Sequence, residues 1–423
     1  MTWMLIVPLM LGLFALNFRL FLAMFAASLC YFVFFASVPM QISVQQFIGP
    51  SQNASLLAIP FFILLGTLMS CTGIAHRLLK VADLIVGRLT GGMGLANILL
   101  STMLGGISAS NLADAAMLTR MMVPEMERQG YNRAFAAGVT AAGSLITPII
   151  PPGIALIIYG LVADVSIGKM FMAGILPGLL CCVLLMAATY FVAKRRGYRP
   201  ARTAWPTAAE SRRTLVGAWP ALFLVVVIIG GIRLNVFTPT EAGAIGVVTV
   251  IVIGFLIFRE MTVDDVVRAL CDTAKSTAAV MVVIMASSAL AWIFSLEHAG
   301  DKLAALILDL TTNKYAFLMV VNALLLVLGM LIEGNAIMIV LVPLLMPVVR
   351  QLGIDPVHFG IVLILNLAIG CLTPPVGTVM LLVCNLSKVS LADFVRQAWP
   401  MFVALFLALG LITFVPFFSL ALL

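Results

Sequence analysis

Residues 143–153 read Gly-Ser-Leu-Ile-Thr-Pro-Ile-Ile-Pro-Pro-Gly, and residues 370–378 read Gly-Cys-Leu-Thr-Pro-Pro-Val-Gly-Thr. Each stretch lies inside a long apolar run, 134–163 and 358–387, that would otherwise form one membrane-crossing helix. Proline lacks an N–H and clashes with the preceding turn, so Pro-Pro flanked by glycine breaks each helix in mid-run. The break frees backbone carbonyls, and hydrocarbon tolerates these only where they face protein, water or a bound ion. A pair of structural kinks is the plainer reading of two such breaks, but matched breaks, each with a threonine before a proline, favour a site.

The surrounding composition is that of an integral membrane protein. Of 423 residues, 63% are hydrophobic and 10% charged, against roughly 45–50% and 25% in soluble proteins. This excludes a water-soluble enzyme, a nucleic-acid-binding domain and a receptor with one anchor. The net charge of +7 needs no nucleic acid to explain it, because lysine and arginine collect on the cytoplasmic side of membrane proteins. The seven cysteines lack C-x-x-C spacing and read as apolar core residues, and His76, His298 and His358 have no metal-binding companion. No cofactor is expected, and the N-terminus reads as a retained first span.

Working outward, ten spans are predicted near 3–17, 19–37, 56–73, 134–163, 171–193, 217–233, 240–258, 277–295, 358–387 and 400–420. Two further runs, 94–122 and 317–349, carry glycine clusters and an acid at their middles and read as re-entrant hairpins. Ten full spans place both termini on one side. With the basic linker 194–213 in the cytoplasm, only Lys169, Arg233, Lys302, Lys314 and Arg350 of the 24 lysines and arginines fall outside. Both termini are then periplasmic, in a bacterial inner membrane.

The two halves are related. Gly106, Pro124, Gly130, Pro151, Pro152 and Pro177 recur as Gly329, Pro347, Gly353, Pro374, Pro375 and Pro400, each displaced by 223 positions. Four of the five prolines between 100 and 180 recur at that offset, where chance would give about a quarter of one. In the predicted topology the first hairpin opens inward and the second outward, so the repeats are inverted. The expected fold is an all-α polytopic membrane protein of two inverted-topology repeats, each with a re-entrant hairpin and a broken helix, an architecture of secondary transporters. The expected units are N-terminal scaffold helices (1–55), a first repeat (56–193), the linker with scaffold helices (194–276) and a second repeat (277–423).

The hairpin tips supply Ser108, Ser110 and Asn111 in the first half and Gly334 and Asn335 in the second. Neutral oxygens and freed carbonyls suit Na+, so Ser108, Ser110, Gly143, Thr147, Glu333, Gly334, Gly370 and Thr373 are its candidate ligands. Ser110, Asn111, Pro151, Pro152, Asn335, Pro374, Pro375 and Thr378 are the candidates for substrate. Asp114 and Glu333 are the deepest acids, and a buried charge marks function by default. Asp114 is either an ion-coupling acid or a hydrogen-bonded carboxyl that locks the hairpin. A competing motif, Gly106-Ile107-Ser108-Ala109, resembles the core of an intramembrane serine protease, but no histidine is well placed as its base.

The runs Gly105 to Asp114, Val123-Pro124-Glu125-Met126 to Gly130-Tyr131 and Thr147 to Pro152 resemble the large membrane subunit of tripartite ATP-independent periplasmic (TRAP) transporters. So do Glu333-Gly334-Asn335-Ala336, Leu352 to Gly360 and Leu372 to Gly377, and Ala109 departs from the glycine common in the family. The resemblance covers essentially the whole chain. It implies an elevator-type symporter in which sodium drives uptake of a small organic acid, a carboxylate delivered by a periplasmic binding protein. It also implies a separate small four-span membrane subunit as partner. Nothing in the sequence selects among carboxylates. The alternative within transport is a self-sufficient divalent-anion/sodium symporter.

Overall fold

The structure, a computed structural model, describes all residues except 1–5, 7, 11, 14, 15, 17, 36, 37, 106–110, 203–205, 235, 311 and 312. The described residues form helices and no strand. In chain order these are α1 (Leu20–Phe34), α2 (Met40–Ile48), α3 (Ala58–Ser70), α4 (Ile74–Val86), α5 (Gly92–Gly105), α6 (Asn111–Arg128), α7 (Arg133–Ser144), α8 (Ile154–Val162) and α9 (Ile167–Arg196). There follow α10 (Ala208–Arg233), α11 (Pro239–Val252), α12 (Val263–Leu296), α13 (Ala299–Leu310), α14 (Lys314–Leu331), α15 (Gly334–Gln351), α16 (Pro356–Gly370), α17 (Thr378–Ser387), α18 (Leu391–Phe414) and α19 (Phe417–Leu420).

Seven of the described helices are long and apolar enough to cross a membrane, or eight if the pair Met40–Gln52 and Ala54–Ser70, bent by 51°, is one span. This is a multi-pass membrane protein. Both apolar runs that carry Pro-Pro are interrupted: α7 ends at Ser144 and α8 starts at Ile154, while α16 ends at Gly370 and α17 starts at Thr378. The Pro151–Pro152 and Pro374–Pro375 peptide bonds are both cis. The run 94–122 is split between α5 and α6, with 106–110 outside the described residues, and 317–349 is split between α14 and α15 at Ile332–Glu333. At 18 residues each, α14 and α15 are about 27 Å long, so length alone would let either one cross.

The 223-residue offset extends to the helix bounds. Displacing α6, Asn111–Arg128, by that amount lands on the bounds of α15, Gly334–Gln351. The turn that follows repeats in geometry at matching positions. Gly130 and Gly353 both hold positive φ, at 87° and 66°, which glycine adopts without a side-chain penalty. Asn132 Oδ1 then accepts from the amides of Ala134 and Phe135, and Asp355 Oδ1 from those of Val357 and His358. These side chains cap the free amides that begin α7 and α16.

Three helices lie outside the predicted spans: α2, α4 and α13. Helix α4 buries Ile74, Leu78, Val81, Ala82 and Val86 while His76 and Lys80 point away from that face, the pattern of a helix lying on a surface. It is held at both ends. The Arg77 guanidinium pairs in two-pronged fashion with Glu260, at 2.9 and 2.7 Å, and lies 3.7 Å from the centre of the Phe258 ring. At the other end Arg202 bridges Asp83 and Glu210 at 2.5 and 2.6 Å.

The linker is more ordered than its charge suggests. The Arg202 amide donates to the Gly87 carbonyl, Tyr198 stacks on Tyr131 at 4.3 Å, and the Tyr198 hydroxyl accepts from the Asn132 amide. These contacts tie the linker to the turns before α5 and before α7.

Candidate functional site

Both breaks and the hairpin ends meet around one cavity of about 440 Å³. One wall is the end of α3 with Thr67 and Ser70, joined by Ser276 on α12. The opposite wall is the start of α6, with Asn111 and Asp114, and the α14–α15 junction, with Glu333, Gly334 and Asn335. Pro148 of the first break and Cys371 and Thr378 of the second close it. Lysine, arginine and histidine are absent from the lining among the described residues.

The chain reaches this arrangement by crossing the halves. Helix α17 packs on α6 and α7, and α8 packs on α15 and α16, so each broken helix sends its second part to the other half's hairpin. Close backbone approach makes this geometry possible. A Cβ placed on Gly370 would sit 2.7 Å from Gly329 Cα, and one on Gly105 would sit 3.2 Å from Thr147 Cα. In both halves the first hairpin helix therefore touches the break backbone to backbone. At the second break the Gly377 amide donates to the Met330 carbonyl at 3.1 Å, which fastens the break to the end of α14.

The predicted site residues fall into four groups. Asn111, Asp114, Glu333, Gly334, Asn335 and Thr378 line the cavity. Asn335 Nδ2 donates to Glu333 Oε1 at 2.7 Å, and Asp114 is 2% exposed in the first turn of α6, where the helix dipole favours a negative charge. Gly143 and Gly370 lie in the last turns of α7 and α16, and Thr147 and Thr373 sit in the breaks that follow, all four outside the lining. Pro151 and Pro152 are buried away from the cavity, while Pro374 and Pro375 line a separate shallow pocket with Arg396. Ser108 and Ser110 lie outside the described residues.

The two threonines are not equivalent. At the 223 offset Thr147 corresponds to Gly370 and Thr373 to Ile150. Thr373 Oγ1 donates to the Ile369 carbonyl at 2.7 Å, whereas the fully buried Thr147 Oγ1 has no hydrogen-bond partner among the described residues. A Cβ on Gly143 would lie 2.8 Å from Ser101 Oγ, so a side chain there would displace that hydroxyl.

Thr67, Ser70, Ser276 and Cys371 line the cavity without having been predicted. The signal for the first two was available, since Gly66, Thr67 and Ser70 share one face at the end of an apolar helix. Ser276 carried none, because it stands within a long helix among charged neighbours.

The chain resembles known proteins over nearly its whole length. Residues 6–418 match the family described as "Tripartite ATP-independent periplasmic transporter, DctM component". It is 39% identical to the sialic acid TRAP transporter large permease protein SiaM of Vibrio cholerae, over 93% of this chain and 92% of that one. Identity to the 2,3-diketo-L-gulonate TRAP transporter large permease protein YiaN of Escherichia coli is 35%, over 89% and 88%. The isethionate TRAP transporter permease protein DctMQ of Oleidesulfovibrio alaskensis is 36% identical, over 92% of this chain but 61% of that longer one. In fold the chain is similar to the YdaH transporter of Alcanivorax borkumensis, with a TM-score of 0.61 at 15% identity over 88% and 86% of the two chains. A family match over almost every residue, on a helical membrane fold whose two breaks share one cavity, makes the chain a member of the DctM family, the large permease component of TRAP transporters.

Proposed function

We propose that this permease imports a small organic acid by sodium-driven symport, with the cavity between the two breaks as the transport site. The observation that carries the reading is the cavity itself. It is bounded by both hairpin ends and both breaks, and its polar groups are hydroxyls, amides and two carboxylates. Such a set suits a hard monovalent cation, with helix N-termini α6 and α15 left to face an anion. Thr147, Gly143, Gly370 and Thr373 supply the ion-binding backbone and hydroxyl oxygens together with Ser108, Ser110, Glu333 and Gly334. Asn111, Asn335 and Thr378 contact the substrate.

In this reading the halves are inverted repeats, the hairpins are re-entrant, and the two hairpins with the broken helices move as one body against α1–α3 and α10–α12. The chain lies in the inner membrane with both termini periplasmic. It works with a periplasmic binding protein and a separate small membrane subunit, and the relatives' names point to sugar acids and other carboxylates as cargo. The test is uptake into proteoliposomes holding this chain and the small subunit. Uptake should follow an inward sodium gradient, require the binding protein and continue without ATP. Uptake by this chain alone would replace the tripartite reading with a self-sufficient symporter, and uptake indifferent to sodium would end the symport.

A further inference from the structure

We infer that the basic residues at the end of α9 and the start of α10 bind the headgroup of an anionic phospholipid, whose acyl chains lie along an exposed stripe of α10. Lys194, Arg195, Arg196, Arg199, Arg212 and Arg213 are all exposed. The two nearest acids are already engaged, since Arg202 takes both Asp83 and Glu210. Among the described residues no carboxylate stands within ion-pair distance of the other six cations.

The sidedness of loops explains why basic residues gather here, and the negative end of α9 accounts for Lys194 to Arg196 in its last turn. The helix dipole does not account for Arg212 and Arg213, which stand near the positive end of α10. Directly beneath them, Arg212, Val216, Trp219, Phe223 and Val226 follow one another at helical spacing of three or four and so share a face. Val216, Trp219, Phe223 and Val226 are all exposed, Trp219 at 51%, and its ring meets that of Phe223 at a tilt of 55°, 5.3 Å between centres. At 1.5 Å per residue, Trp219 lies about 10 Å along the helix from Arg212. That is a cation above an indole above an apolar track, the order in which a lipid presents phosphate, interface and chain.

The experiment is native mass spectrometry of the purified full chain in detergent, with phosphatidylglycerol, cardiolipin or phosphatidylethanolamine added. The anionic lipids should be retained in preference to phosphatidylethanolamine. Arg212→Gln with Arg213→Gln should weaken that retention roughly 30-fold, the ~2 kcal/mol of two basic residues near an anionic surface. Trp219→Ala should weaken it without altering charge, and Arg268→Gln with Lys275→Gln, exposed basic positions on α12, should leave it unchanged. Equal retention of phosphatidylethanolamine, or equal loss in the α12 variant, would overturn the inference. So would displacement of the lipid by inorganic phosphate, or by the co-expressed small subunit covering the stripe.

Discussion

Thr147→Val exchanges one buried hydroxyl for a methyl group of nearly the same size. Its neighbours Thr140 and Ser144 both donate to helix carbonyls, at 2.8 Å each, while the Thr147 hydroxyl, fully buried, has no partner among the described residues. A buried hydroxyl left in that state costs about 1–3 kcal/mol. Without sodium, the valine variant should therefore be at least as stable as the wild type. If the hydroxyl is an ion ligand, a contact to a charged group contributes about 1.5–3 kcal/mol, and its loss should raise half-saturating sodium roughly 10- to 150-fold. The assay is thermal unfolding in sodium and in potassium at matched ionic strength, because a ligand that binds only the native state raises apparent stability. The sodium-dependent rise should shrink in Thr147→Val with no fall in the potassium value. Thr373→Val loses a formed hydrogen bond and should be less stable in both salts. A Thr147→Val protein that unfolds earlier in potassium and keeps the full sodium response would refute the reasoning and leave Thr147 a packing residue.

The glycine contacts and the α4 clamp give two further outcomes. Gly370→Ala drives a Cβ to 2.7 Å from Gly329 Cα and should cost about 1–3 kcal/mol as overpacking; Gly329→Ala, at 3.2 Å, should cost less, and Gly410→Ala, with open space around it, nothing. Any other order of unfolding temperatures would place the tight crossing elsewhere. Glu260 is held below its ordinary pKa of 4.5, first by the hydrogen bonds from Arg77. A carboxyl lowered in the folded state contributes stability above its unfolded value and loses it as pH falls through the folded one. The wild type should thus unfold later than Glu260→Gln near neutrality, and the gap should close below about pH 4; a gap independent of pH would mean the carboxylate's charge is not what holds α4.

The sequence made the helix breaks and the 223-residue correspondence of turns legible because both rest on proline and glycine, whose backbone limits do not depend on context. Pro151-Pro152 and Pro374-Pro375 interrupt their helices wherever the rest of the chain packs, and Gly130 and Gly353 mark one turn twice. The hidden parts depend on amphipathic surface packing and on contacts far apart in sequence. Helix α4 mixes charge with apolar residues and so lacks the hydropathy of a span, yet it is buried along one face. The Arg77–Glu260 pair joins positions 183 residues apart, and neither residue type announces a partner. Among the residues that line the cavity, Asn111, Asp114, Glu333 and Asn335 were readable because polar groups stand out in apolar runs. Placing threonines next to prolines suggested an equivalence between Thr147 and Thr373 that the 223-residue register does not support.

The crossing of the halves bears on how the cavity could have arisen. If each half supplied a hairpin and both parts of its own broken helix to itself, each would enclose its own site, and there would be two cavities. Instead α17 lies on α6 and α8 on α15, so neither half completes a site alone. Tyr159 on α8 shows how tightly this exchange is fixed. Its hydroxyl donates to the Pro356 carbonyl of the other half at 2.6 Å, and its ring occupies the space where Gly360 would carry a Cβ. A shift of one half along the other would break that bond and press the ring into the backbone of α16. The two halves are therefore fixed to each other at Tyr159 by a hydrogen bond and by packing at once, whereas the ion pairs at the ends of α4 contribute about 1 kcal/mol or less each. Helix α4, by contrast, is held chiefly by the apolar face that it buries against α5 and α10.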